Sequence, residues 1–220
     1  MPPVSILIAD DHELVRKGIR TVLESRPGWQ VVAEASDGRE AVKKTQETKP
    51  NVAILDISMP QLNGLEATRQ IAKEAPHTKV LILTVHDADP FIQQILEAGA
   101  RGYLLKSDAS PDLVSAVDAI LRNKTFFTPK VGQIVLDGFL NKNPKSPDDA
   151  AGNNALRLTA RQRQIVQLLA EGRSSKEVAV ALNISVKTAE THRANIMRRL
   201  DCHSVTELVH YAIRNGITEA

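Results

Sequence analysis

Residues 51–60, NVAILDISMP, constrain the fold most. Four apolar residues, Val52, Ala53, Ile54 and Leu55, lead directly into a carboxylate, Asp56, and a Met-Pro turn follows. An apolar run this short, bounded by turn residues, reads as a strand buried on both faces. Such a strand belongs in a parallel sheet covered by helices, where the carboxyl ends of the strands form the ligand-binding edge. Asp56 falls on that edge. Taken alone it is most simply a turn-capping aspartate, so its meaning depends on what the other strands bring beside it.

The N-terminal half repeats the pattern. Apolar strand runs are expected at Ser5–Ala9, Gln30–Ala35, up to Asp56, at Lys79–Thr84 and at Gly102–Leu105. Between them, helical spacing is expected from Glu13 to Ser25, after an Asp37 N-cap with Glu40 reaching back, from Gly64 to Ala75, near Phe91–Ala98, and from an Ser110 N-cap with Pro111 at the first helical position. Five strands alternating with five helices in about 120 residues predict a doubly wound α/β fold with a five-stranded parallel sheet and right-handed crossovers.

The strand ends carry the chemistry. Strand one ends in Asp10 and Asp11, strand three in Asp56, strand four in Thr84 and strand five in Lys106. In a parallel sheet all of these reach one edge. Crowded carboxylates repel and require a cation, and an all-oxygen donor set suits Mg²⁺. A lysine ammonium and a threonine hydroxyl opposite can hold phosphoryl oxygens. The constellation would let Asp56 attack a phosphoryl donor and form an acyl phosphate, with the cation and Lys106 neutralising the transferring charge.

The C-terminal part has another character. Residues 157–220 hold ten Lys/Arg against six Asp/Glu, while residues 1–156 hold 18 against 20. A basic tail on a slightly acidic body points to a polyanionic partner. Residues 129–156 read as a linker, with a weak helical pattern at 129–140 and a flexible tether at 141–154 (NKNPKSPDDAAGNN). Capping boxes at Thr159–Gln162, Ser174–Glu177 and Ser204–Glu207, with Ser185 as a further cap, predict four short helices. The second and third, separated by Asn183–Ser185, form a helix-turn-helix. On the third, Ala189, Ile196 and Leu200, with Arg193 beside them, face inward. Lys187, Thr188, Thr191, Asn195 and Arg198 face outward, mixing cations with hydrogen-bonding groups as a major-groove reader needs.

Two resemblances follow from these residues. DDHELVRKGI, LDISMPQLNGLEAT, ILTVHD and AGARGYLLK, spread over residues 4–123, resemble the receiver domain of bacterial two-component response regulators. The resemblance implies Asp56 as phosphoacceptor, Asp10 and Asp11 as the acidic pocket, a Ser58 backbone carbonyl on Mg²⁺, Thr84 as switch hydroxyl, Lys106 as phosphoryl-binding lysine and Tyr103 as the aromatic that moves with Thr84. Ser58 and His86 stand where the family tunes hydrolysis of the phosphoryl group; His86 is read as a surface residue. Residues 157–217 resemble the LuxR-type four-helix DNA-binding domain, and the pairing resembles the NarL/FixJ family of regulators. That resemblance implies double-stranded DNA contacts from Lys187, Thr188, Thr191, His192, Asn195 and Arg198, and a dimer surface on the fourth helix. Departures are few: Asn63 stands for a common Asp, Ser107 for a common Pro, Ala160 for Pro, Gln162 for Glu and Ala189 for Val. A cis bond before Ser107 would cost about 2.5–4 kcal/mol, so a trans bond is expected there.

The expectation is therefore three segments: a receiver over 1–128, a linker over 129–156 and a DNA-binding domain over 157–220. The function expected is a phosphorylation-controlled transcriptional regulator, fed by a sensor histidine kinase, dimeric when phosphorylated, and not an enzyme beyond its own phosphoryl transfer and dephosphorylation. A cytoplasmic location is expected, because the only cysteine, Cys202, suits a reducing compartment and the N-terminus offers neither a signal peptide nor a membrane span. A phosphatase would want an acid two residues after Asp56, where Ser58 stands. A dinucleotide enzyme would want a glycine-rich turn after strand one, where DDHELVRKG stands.

Overall fold

In the computed structural model, residues 3–85, 92–127, 131, 158–215 and 217–218 are described. His86, Gly216 and the expected tether at 141–154 lie outside them. Two compact units divide the chain, Met1–Asp137 and Gly138–Ala220.

The first unit runs β1 (Val4–Ala9), α1 (Glu13–Glu24), β2 (Trp29–Ala35), α2 (Gly38–Thr48), β3 (Val52–Leu55), α3 (Gly64–Glu74), β4 (Lys79–Thr84), α4 (Ile92–Glu97), β5 (Gly102–Leu105) and α5 (Ala109–Leu121). All strand pairs are parallel, in the order β2-β1-β3-β4-β5. The chain therefore reverses its direction of winding between β1 and β3, which opens a crevice at their carboxyl ends.

Alternation along the strands divides the core. Leu7, Ala53, Leu55, Val80, Ile82 and Tyr103 share one face with Ala41 of α2, Leu65 and Ile71 of α3, and Ile92 and Ile95 of α4. Ile6, Ile8, Val52, Ile54, Leu81, Leu83 and Leu104 share the other with Ile19 and Leu23 of α1 and Leu113, Val117 and Ile120 of α5. The aliphatic runs are thus buried on both sides, as their lack of polar interruption requires.

Several local expectations shift. Leu14, an apolar residue in the first turn of α1, is 83% exposed. Asp37 caps α2, accepting hydrogen bonds from the Arg39 and Glu40 amides, but Glu40 reaches back to the Ser36 amide at 2.7 Å, one residue before the cap. The fifth helix does not start from an Ser110 cap. A 3-10 turn over Lys106–Asp108 runs straight into α5 at Ala109, and Pro111 falls within the first turn, where its missing N–H costs no helical bond. No peptide bond among the described residues is cis, so the bond before Ser107 is trans.

The second unit comprises α6 (Ala160–Ala170), α7 (Ser175–Leu182), α8 (Val186–Arg199) and α9 (Val205–Arg214). Complete capping boxes open α6 and α7, and Ser185 caps α8 through the Thr188 amide. At α9 the box is one-sided: Ser204 accepts from the Glu207 amide, while the Glu207 carboxylate turns to the His203 amide at 2.6 Å. Asn183 takes the left-handed conformation, φ 51°, that ends α7 and turns the chain into α8. Ile165, Leu168, Val178, Leu182, Ala189, Ile196, Leu208 and Ala212 close a separate core.

Candidate functional site

Four strand ends meet at the crevice. Asp10 follows β1, Asp56 follows β3, Thr84 ends β4 and Lys106 follows β5. Asp10 is 1% and Asp56 3% exposed, and Thr84 is fully buried. The Lys106 ammonium lies 2.7 Å from Asp56 Oδ2 and 2.7 Å from Asp10 Oδ2, so one cation spans both carboxylates. It donates a hydrogen bond to Asp56, whereas its approach to Asp10 Oδ2 is an ion-pair contact without hydrogen-bond alignment.

Asp56 Oδ1 is buried and has no hydrogen-bond partner among the described residues. Burial pushes the Asp56 carboxyl up to about 6, against the pull of the Lys106 hydrogen bond and charge; Asp10 adds to the rise, and the Ser58 amide opposes it. Burial works against the Lys106 charge as well, but the close contact with Asp10, the hydrogen bond it donates to Asp56 and the attraction of both carboxylates outweigh it and raise its pKa. The pocket is ionic and incompletely satisfied.

The backbone that carries Asp56 is held by close approaches. The Gly64 amide donates to the Ile57 carbonyl at 2.8 Å. A Cβ on Gly64 would sit 2.8 Å from the Asp56 carbonyl carbon. One on Gly38 would sit 2.9 Å from the Leu62 carbonyl carbon. Gln61 ties the same loop to α2, donating to Asp37 Oδ2 at 3.2 Å. Asn63, in place of the usual Asp, caps α3 by accepting from the Glu66 amide at 2.9 Å.

Asp11 is placed differently from its neighbour. It lies at the rim, its side chain about one-third exposed, with Oδ1 2.7 Å from His12 Nδ1. Asp10 Oδ1 accepts from the His12 amide at 2.9 Å. Asp10, Asp11 and His12 can each turn a ligand atom toward one position. His12 was not a sequence candidate; its only signal was its place directly after the acidic pair. Whether the residues suit a hard divalent cation is answered by the donor set: two buried carboxylate oxygens, on Asp10 and Asp56, without hydrogen bonds among the described residues, beside an exposed carboxylate. They suit it. Tyr103 is packed inward, 2% exposed, beside Ile82 on β4.

In the second unit, Lys187, Thr188, Thr191, Asn195 and Arg198 are exposed on α8, and His192 is half-buried. Ala189 and Ile196 are buried, with Leu200 packed against the same core. Thr188 Oγ1 meets Ser185 Oγ at 2.8 Å, Thr191 Oγ1 donates to the Lys187 carbonyl at 2.8 Å, and Arg198 donates to Asn195 Oδ1 at 2.7 Å. These are local bonds that an external ligand can replace. His203 and His210 are both exposed.

Comparison with known proteins agrees with both units. Residues 6–118 match the response regulator receiver domain. Residues 156–212 match the bacterial regulatory proteins of the luxR family. The chain is 38% identical over 218 residues to the oxygen regulatory protein NreC of Staphylococcus haemolyticus, covering 98% of this chain and 100% of that protein. It is 36% identical over 218 residues to the response regulator UvrY of Escherichia coli, covering 99% and 97%. Among solved structures, one of two RcsB dimers bound to two parallel DNAs is similar at TM-score 0.57 and 26% identity, covering 97% of this chain and 98% of that one.

Proposed function

The chain belongs to the NarL/FixJ-type response regulators of two-component systems, a receiver domain followed by a LuxR-type DNA-binding domain, and from that premise we propose that the receiver takes its phosphoryl group on Asp56 from a phosphohistidine of a sensor kinase. The observation that carries this reading is Asp56 Oδ1: a buried carboxylate oxygen with no hydrogen-bond donor among the described residues, on a group whose other oxygen is held by Lys106. A lone pair not engaged in hydrogen bonding is what an attacking oxygen needs.

Asp56 Oδ1 attacks phosphorus as the P–N bond to the donor imidazole breaks, and the imidazole leaves with the electron pair. Lys106 follows the charge, exchanging a carboxylate for a phosphoryl oxygen. Asp10, Asp11, Asp56 and the Ser58 carbonyl would hold Mg²⁺, which when bound supplies charge neutralisation at the phosphoryl oxygens. Thr84, buried at the end of β4, donates its hydroxyl to the new phosphoryl group, and Tyr103 on the neighbouring strand responds to that movement. In this reading the chain catalyses only this transfer and the later hydrolysis of the acyl phosphate, in which water attacks phosphorus, the bond to Asp56 breaks and inorganic phosphate leaves.

Output runs through the second unit. A phosphorylated dimer sets two α8 helices into successive major grooves, with Lys187 and Arg198 toward phosphates and Thr188, Thr191, His192 and Asn195 toward base edges. The RcsB dimers seen on DNA support this reading by likeness. No described helix is long and apolar enough to cross a membrane; the cytoplasmic location is part of the proposal, and an output that works on DNA supports it.

The test is intact mass after incubation with a small acyl phosphate and Mg²⁺, with sizing on the same samples. The expected result is one added phosphoryl group on the wild type, none on Asp56→Asn, and a shift of the phosphorylated form toward dimer. A phosphoryl group found on Asp56→Asn at the wild-type level would reject Asp56 as acceptor.

A further inference from the structure

Arg16 lies on α1, one turn beyond the acidic pair, and its side chain points back beneath it. Its terminal NH1 donates to the backbone carbonyl of Asp10 at 2.7 Å. That oxygen belongs to the peptide joining Asp10 to Asp11. Holding it fixes the rotation of that peptide, and with it the direction in which both side chains leave the backbone. The same guanidinium donates through Nε to Glu34 Oε2 at 3.2 Å. Glu34 is gripped from its other oxygen by Arg20, whose Nε and NH2 stand 2.7 and 2.6 Å from Oε1. Burial pushes the Glu34 carboxyl up, but hydrogen bonds from Arg20 and Arg16 outweigh it and hold it below its ordinary range. The Arg16 side chain is largely buried, so its place is set by packing as well as charge.

A simple staple between α1 and β2 would need only the Arg20–Glu34 pair, which already joins those elements. Arg16 adds a bond to a carbonyl between two pocket residues. A planar guanidinium with several fixed donors can serve Glu34 and Asp10 together, which a lysine cannot do.

We infer that Arg16 is a positioning residue for the acidic pocket, holding the Asp10–Asp11 peptide in the orientation that turns both carboxylates toward the cation, with Glu34 holding Arg16 in that pose. This rests on the pocket being the cation-binding phosphoacceptor site proposed above. Arg16 touches neither cation nor phosphoryl group and acts only through the peptide it orients.

The experiment titrates MgCl₂ into the full-length chain, followed by amide NMR shifts, in wild type, Arg16→Gln, Glu34→Gln and Arg26→Gln. The last breaks the Arg26–Asp118 ion pair, a stabilising contact made outside the pocket. Thermal midpoints from Trp29 fluorescence report folding of each variant. Arg16→Gln is expected to weaken Mg²⁺ binding by about tenfold or more, the usual scale for a group that orients a metal ligand. Glu34→Gln weakens it in the same direction by less, since Arg16 remains but is no longer held. Arg26→Gln lowers the midpoint and leaves Mg²⁺ affinity unchanged. Phosphorylation of Arg16→Gln by a small acyl phosphate recovers toward the wild-type rate as Mg²⁺ is raised. Wild-type affinity in folded Arg16→Gln, or in Glu34→Gln should Arg16→Gln fail to fold, overturns the inference. Failure of the wild type itself to bind Mg²⁺ and accept phosphate would instead overturn the site reading on which it rests.

Discussion

Replacing Asp56 by Asn should stabilise the receiver, increasingly so as pH rises. Asp56 carries a folded-state pKa of about 6 against an ordinary 3.8. A carboxyl whose pKa is raised by folding is bound more tightly in its protonated form by the folded chain. Its ionisation therefore costs nothing below the unfolded value, begins to oppose folding between 3.8 and about 6, and opposes it in full above that. At 1.36 kcal/mol per pH unit the full penalty is about 3 kcal/mol. Asn has nearly the shape of the protonated acid and cannot ionise, while Lys106 keeps its 2.7 Å contact with Asp10. In metal-free buffer the variant should exceed the wild type by about 1 kcal/mol at pH 4.5 and about 3 kcal/mol at pH 7.5. Urea unfolding followed by fluorescence measures this cleanly, because the single tryptophan, Trp29, lies on β2 and reports the receiver alone. Titrations common to both proteins cancel in the difference. A gap that stays constant, or narrows as pH rises, would refute the assignment of the raised pKa to buried, incompletely satisfied charge.

Other outcomes follow from the same geometry. Gly64→Ala drives a methyl group into the Asp56 carbonyl; urea unfolding should show a loss of about 1–3 kcal/mol, and intact mass should show slowed phosphorylation. Lys106→Met strands two buried carboxylates and should destabilise the receiver by about 3–5 kcal/mol at neutral pH, with part of the loss recovered in acid as Asp56 takes up its proton. Because folding raises the Lys106 pKa, its contribution in the wild type is complete below its unfolded value and declines as pH climbs through the folded one, which the same unfolding assay at alkaline pH detects. On DNA, Lys187→Ala and Arg198→Ala should each lower the slope of log affinity against log salt by about 1, whereas Asn195→Ala should cost about 1–3 kcal/mol at one base position; binding titrations at several salt concentrations separate the two kinds of loss.

The strands were legible because an aliphatic run ending in a polar residue has few other places to go. Once their alternation with helices was read, the convergence of Asp10, Asp56, Thr84 and Lys106 on one edge followed from parallel topology alone. Cap geometry was less legible. Glu40 and Glu207 have the right spacing for reciprocal boxes, yet each reaches one residue further back, because the amide available there depends on the incoming chain. Ser110-Pro111 reads as a strong helix opener, but α5 starts two residues before the proline, because the 3-10 turn that leads into it has no comparable signature. Long-range pairings could not be read at all. Arg16 and Glu34 lie 18 positions apart on different elements, and nothing local distinguishes them from the solvated charges beside them.

The double contact of Lys106 has a consequence for which ion the pocket can take. With Asp10, Asp11 and Asp56 ionised, the tethered ammonium, 2.7 Å from two of them, leaves two negative charges unopposed. A single divalent ion closes that deficit. A monovalent ion leaves it open, and a trivalent one reverses it. Lys106 thus works as a captive counterion whose entropy was surrendered on folding, setting the valence of its replacement partner before any ligand distance has been selected.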